Sequence, residues 1–291
     1  MEVGRLNLKN PIMLASGILG SHVGSLNRIA KQAGAVVTKS VGLEGREGYK
    51  NPCVVTWECG ILNAVGLSSP PAKDFARELR SFNKTCPLIV SLFGSNPEEF
   101  VELVKIFDFA DGFELNLSCP HAKGLGLEVG RDFDLVYEII RKVKGKTDKP
   151  VFAKVSANLD YVELAKVCES AKADGIVAIN TVRGMAIDIV SKRPVLSNVS
   201  GGVSGKAIKP IALKCVWDIY EEVNIPVIGC GGISNWKDVV EFALAGAKAV
   251  QVGSAFYHSY DVIGNILEGL NSYLRINGLR FEDLVGLAHR R

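Results

Sequence analysis

Eight short apolar runs, at 12–15, 35–40, 88–93, 112–118, 151–155, 175–180, 226–230 and 249–253, recur along the chain, and a helical pattern follows each of them. A run that stays apolar from end to end is a strand buried on both faces, as in a parallel sheet covered by helices. Eight such βα units is the count that closes a (β/α)8 TIM barrel (α/β class), whose active site lies at the C-terminal face of the strands. An open, doubly wound sheet is the alternative. Polar residues end strand after strand, at Ser16, Lys39, Asn116, Lys154, Asn180, Gly231 and Ser254, and this favours the barrel. At Asn96-Pro97, a capping amide and a proline in the first helical position mark a helix start. Segments 41–69 and 182–206 lack clear periodicity and read as long loops, which in a compact unit are usually functional. No linker interrupts the pattern, so residues 1–291 are expected to form a single domain.

The 291 residues are 47% hydrophobic, enough for a large core, and 34 basic against 31 acidic residues leave a net charge of +3. Without a basic stripe, that balance argues against nucleic acid as a partner. No leader pattern opens the sequence, and no apolar run reaches the ~20 residues of a membrane span, so a cytoplasmic protein is expected. Seven cysteines, at 53, 59, 86, 119, 168, 215 and 230, show no C-x-x-C spacing. Reduced thiols fit that pattern, and a zinc or iron–sulfur site held by this chain alone does not.

The run at 112–118 leads into Asn116-Leu117-Ser118-Cys119-Pro120-His121, where amide, hydroxyl, thiol and imidazole groups crowd a strand end. On its own, such a string is more often a strand running into a turn beside a buried thiol. Other strand ends carry chemistry as well. Gly229-Cys230-Gly231-Gly232 and Val252-Gly253-Ser254 place glycines after strands 7 and 8, where barrels bind phosphate on bare N–H groups and a helix N-terminus. A phosphorylated cofactor or substrate is implied, and flavin mononucleotide (FMN) suits a barrel of this size. Lys39 and Lys154 end apolar strands, and lysines so placed meet anions. One would face a flavin's pyrimidine edge, the other a substrate carboxylate. Asn63, Asn116 and Asn180 offer amides that donate and accept, as a pyrimidine ring needs, though each alone would equally serve a turn or cap. Cys119 would act as nucleophile or general base, its thiol drawn toward the thiolate by neighbouring lysines. From an extended strand, His121 would point elsewhere.

Taken in order, Ala15-Ser16-Gly17, Thr38-Lys39-Ser40, Asn63-Ala64-Val65-Gly66-Leu67, Asn116-Leu117-Ser118-Cys119-Pro120, Phe152-Ala153-Lys154, Ile179-Asn180-Thr181, Gly201-Gly202-Val203-Ser204-Gly205, Gly231-Gly232 and Gly253-Ser254 resemble the class 1 dihydroorotate dehydrogenases, FMN enzymes of pyrimidine synthesis. The resemblance covers nearly the whole chain. It implies oxidation of dihydroorotate to orotate, with Cys119 as the base that takes the C5 proton while hydride passes from C6 to FMN. It also implies a substrate site of Lys39, Asn63, Ala64, Val65, Gly66, Leu67, Asn116, Asn180 and Thr181. Around FMN it sets Ser16, Lys39, Ser40, Ser91, Asn116, Lys154, Ile179, Gly205, Gly231, Gly232, Gly253 and Ser254. A base on one ring face and a flavin on the other let orientation do much of the work.

Segments 62–67 and 200–205 resemble the class 1B form, which implies a second subunit carrying FAD and a [2Fe–2S] cluster. Electrons would then pass to NAD, and two copies of this chain would pair within a heterotetramer. The related class 2 enzymes bind membranes through an N-terminal extension and use a serine base, and this sequence shows neither. Two positions depart from the class 1 pattern: His121 stands where Asn is usual, and Ser91 where many relatives carry Asn. Cys119-Pro120-His121 is similar to the flavin domain of dihydropyrimidine dehydrogenases, so reduction of uracil or thymine is the alternative activity. The Asn63 to Leu67 segment argues for dihydroorotate, whose carboxylate its backbone amides and Lys39 would meet. A barrel could also be a phosphate-ligand sensor or a scaffold, a reading that redox turnover excludes.

Overall fold

The computed structural model describes residues 1–117 and 127–290. Its frame is a closed barrel of eight parallel strands: β1 Ile12–Leu14, β2 Ala35–Val37, β3 Leu88–Leu92, β4 Gly112–Asn116, β5 Val151–Val155, β6 Gly175–Ala178, β7 Val227–Cys230 and β8 Ala247–Val252. Neighbours pair in sequence order and β8 closes on β1, with Gln251 opposite Met13 and Val252 opposite Leu14. The expected barrel is therefore the observed fold, and the open sheet is excluded. A principal helix follows each strand: α1 Val23–Ala30, α2 Ala72–Leu79, α3 Pro97–Ile106, α4 Phe133–Lys144, α5 Tyr161–Ser170, α6 Lys209–Glu222, α7 Trp236–Leu244 and α8 Val262–Asn277. Side-chain caps start several of them, each satisfying an N–H that a helix leaves without a partner. Asn96 Oδ1 accepts from the Glu99 N–H at 3.0 Å, and Asp132 and Asp160 do the same for Leu135 and Glu163.

Side chains alternate across each strand. Outward residues such as Leu14, Val90, Leu115 and Ala153 join the core under the helices. Met13, Val37, Ile89, Phe152, Val177, Ile228 and Ala249 instead fill the lower lumen, together with Val3 and Leu6 from the N-terminal hairpin Glu2–Val3/Leu6–Asn7 and with Leu8 just after it. Gly4 and Arg5, both at positive φ, form the hairpin's two-residue turn. Two residues further along the strands the inward positions become polar: Ser91, Glu114, Lys154 and Gln251 are all buried. The apolar reading of the runs at 112–118 and 249–253 thus fails at Glu114 and Gln251, whose burial is offset by hydrogen bonds to each other and to Lys154.

Segments 41–69 and 182–206 are not plain loops. They supply a four-stranded antiparallel sheet in the order Val182–Gly184, Gly201–Ser204, Gly60–Asn63 and Val54–Trp57. Its own buried cluster is only Leu62, Ala64 and Leu196, so the sequence carries no sustained alternation to reveal it. Gly202 lets the chain pass close to Thr181: a Cβ there would lie 2.1 Å from the Thr181 Oγ1. Among the described residues, no helix is long and apolar enough to cross a membrane.

Candidate active site

A cavity of about 400 Å³ opens at the C-terminal mouth of the barrel, between the strand ends and the antiparallel sheet. That volume lies within the ~300–1,000 Å³ of small-molecule sites. Lys154 and Gln251 line it from the lumen. Lys154 Nζ donates to Gln251 Oε1 at 2.8 Å and to Glu114 Oε1 at 3.3 Å, and Gln251 Nε2 donates to Glu114 Oε2 at 2.6 Å. In the barrel order β8 stands across from β4 and β5, so this closed ring of three side chains spans the lumen. Burial works against the Lys154 ammonium, but the adjacent Glu114 carboxylate outweighs it and holds the lysine above its ordinary pKa. Burial also pushes the Cys230 thiol up, against the pull of Lys154, and keeps it protonated.

A second network centres on Ser40, which lies 2.9 Å from Ser91 Oγ and 3.3 Å from Ser16 Oγ and accepts from Asn116 Nδ2 at 3.1 Å. Asn180 Nδ2 donates to Asn116 Oδ1 at 3.3 Å, and the Thr181 N–H donates to Asn180 Oδ1 at 2.8 Å. Each amide is thereby oriented before a ligand arrives. Asn63 reaches the same cavity from the antiparallel sheet, its Nδ2 donating to the Gly202 carbonyl at 3.2 Å.

The turns after β7 and β8 complete the lining. Gly231 and Gly232 sit at φ +132° and +76°, and a Cβ on Gly232 would lie 2.7 Å from the Lys209 Cβ. Only glycine fits that backbone. Ahead of α7, the Ser234 and Asn235 N–H groups donate to Asp238 Oδ2, while Gly231, Gly232, Gly253 and Ser254 face the cavity. Bare backbone beside a helix N-terminus suits a phosphate. A buried ammonium and oriented amides suit the edge of a planar heterocycle. The donor set therefore fits a phosphorylated ring cofactor together with a small polar substrate.

Of the residues nominated from sequence, Ser16, Lys39, Ser40, Asn63, Val65, Gly66, Leu67, Asn116, Lys154, Ile179, Asn180, Thr181, Gly231, Gly232, Gly253 and Ser254 come together on this cavity. Three stand apart from it. Ser91 is fully buried behind Ser40, Ala64 packs with Leu62 and Leu196, and Gly205 lines a neighbouring cavity of about 260 Å³. Cys119, with Ser118, Pro120 and His121, lies outside the described residues. Sequence reasoning misses Glu114, Gln251 and Cys230. Period-two counting back from Asn116 and Gly253 reaches Glu114 and Gln251, and that was the available signal.

Fold and site together define a (β/α)8-barrel enzyme whose polar mouth suits a phosphorylated ring ligand. The family model for dihydroorotate dehydrogenase matches residues 1–274. The catalytic subunit of dihydroorotate dehydrogenase B (NAD(+)) from Archaeoglobus fulgidus is 58% identical, over 99% of this chain and 98% of the relative. Its counterpart from Pyrococcus furiosus is 49% identical, over 100% of this chain and 98% of the relative. The crystal structure of DHODH from Eimeria tenella, in complex with ferulenol, matches with a TM-score of 0.86 at 23% identity, covering 100% of this chain and 88% of that one, a likeness of fold. The chain belongs to the dihydroorotate dehydrogenase family.

Proposed function

We propose that the chain is the catalytic subunit of a class 1B, NAD-linked enzyme that oxidises (S)-dihydroorotate to orotate in pyrimidine biosynthesis. The observation that carries this reading is the convergence of Lys39, Asn63, Asn116 and Asn180 on one cavity that also exposes the glycine turns after β7 and β8. Gly231, Gly232, Gly253 and Ser254 would hold the phosphate of FMN and Lys154 its pyrimidine edge, with Ser16, Ser40 and Ile179 around it. When bound, FMN supplies the hydride acceptor. The chain's own part is to position the substrate and move a proton. Asn63, Asn116, Asn180 and Thr181 hold the ring's N–H and C=O groups, and Lys39 meets the carboxylate, with the backbone of 65–67 closing around it. Cys119, as thiolate, takes the proton from C5; with a hydride leaving C6, the C5=C6 double bond of orotate forms.

A partner subunit carrying FAD and a [2Fe–2S] cluster would take the electrons on to NAD, with two copies of this chain in a heterotetramer. The names of the archaeal relatives, as catalytic subunits of NAD(+) enzymes, support that division of labour. The test is turnover of the FMN-loaded chain with an artificial electron acceptor and dihydroorotate, with the product identified. Orotate is expected. Absence of orotate from a flavin-loaded chain refutes the proposal.

A further inference from the structure

We infer that Glu114 and Gln251 are positioning residues for the cofactor chemistry: they hold Lys154 as a charge-compensated ammonium at the cavity, so that a bound flavin meets a hydrogen-bond donor without a net cation behind it. The inference rests on the proposal that Lys154 faces the flavin. The three side chains are buried together. Glu114 and Gln251 are each 1% exposed and Lys154 4%. Gln251 takes the Lys154 hydrogen on Oε1 and gives one from Nε2 to Glu114, so a flipped amide would set two donors together and two acceptors together. The amide thus ties lysine and carboxylate into one unit across the lumen.

Stability alone does not account for such a ring. A buried ion pair gains little over apolar residues of the same volume. The layer beneath, with Ile89, Phe152 and Ala249, fills the same lumen without charge. What distinguishes the upper layer is the cavity that Lys154 and Gln251 line. Lys154 faces Glu114 from β4, Cys230 from β7 and Gln251 from β8, and Glu114 supplies the negative charge among them. With that charge removed, burial dominates and the ammonium gives up its proton at lower pH.

The test is Glu114→Gln in the full chain loaded with FMN, following the flavin's absorption spectrum and midpoint potential across roughly pH 6 to 9, a span that documented pKa shifts of buried lysines reach. The wild type is expected to show no lysine-linked inflection. Glu114→Gln is expected to show one, with a lower midpoint potential above it, because a neutral amine no longer offsets the negative charge that reduction adds. Glu114→Asp, which restores a carboxylate, is expected to move the inflection back up. A Glu114→Gln protein that binds FMN and tracks the wild type throughout overturns the inference. Lys154→Met separates this from failure of the underlying proposal. If Lys154→Met leaves spectrum and potential unchanged, Lys154 does not face the flavin; if it shifts them and Glu114→Gln does not, only the positioning role fails. Should Glu114→Gln not fold, Gln251→Met decides: it keeps both charges and removes the linking amide, a shifted potential is expected, and an unchanged one overturns the inference.

Discussion

Lys154→Met tests how the polar layer of the barrel is held together, apart from any catalytic assay. The substitution keeps much of the side-chain volume and removes the cation from a carboxylate that is 1% exposed. Stripping one partner from a buried ion pair costs about 3–5 kcal/mol. Gln251 Nε2 still donates to Glu114 at 2.6 Å, which sets the expected loss near the lower end, roughly 3 kcal/mol and a fall in Tm of about 6 °C for a chain of this size. The sign of the pH dependence follows from which charge is stranded. In the wild type, Lys154 is held above its ordinary range by Glu114 against the opposing effect of burial. Its stabilisation is therefore complete below the ~10.4 of a free lysine and is lost only as pH rises through the folded value, so it is constant between about pH 5 and 8. In Lys154→Met the stranded group is a carboxylate, which takes up a proton on acidification. The gap between variant and wild type should be large at about pH 8 and narrow toward about pH 5. The double variant Lys154→Met/Glu114→Leu, which strands no charge, should recover most of the loss. Denaturant and thermal melts of the FMN-free chain at both pH values read this directly. An equal loss at both, with no recovery in the double variant, refutes the charge argument.

Three further outcomes follow from named contacts. Asn96→Ala removes the cap of α3 and should cost about 1 kcal/mol, a Tm drop of roughly 2 °C by thermal melt, with FMN affinity unchanged because Asn96 does not line the cavity. Gly232→Ala sets a methyl against Lys209 at a positive φ and should weaken FMN retention, measured by fluorescence titration, more than it lowers Tm. Cys119→Ser should leave FMN bound and slow flavin reduction by dihydroorotate about 10²–10⁴-fold in stopped flow, the range expected for loss of a positioned base.

The barrel was legible because a strand buried on both faces leaves a run of apolar residues, as β2 Ala35–Val37 does. Most of the mouth was legible too, since Lys39, Asn116, Lys154 and Asn180 each end such a run and the barrel brings all four to one cavity. The antiparallel sheet was not, because Gly60–Asn63 finds its partner Gly201–Ser204 far along the chain and the sheet's own buried cluster is only Leu62, Ala64 and Leu196. Glu114 and Gln251 escaped notice for a different reason. Each lies inside its strand, where sequence alone suggests core. Only pairing across the lumen makes their burial tolerable.

The most direct measurement is anaerobic mixing of the FMN-loaded chain with dihydroorotate or with dihydrouracil while the flavin absorbance is followed. Dihydroorotate should bleach the flavin and leave orotate behind, and dihydrouracil, which lacks the carboxylate assigned to Lys39, should not. Bleaching by dihydrouracil alone, or a chain that never retains FMN, would contradict the assignment of this cavity.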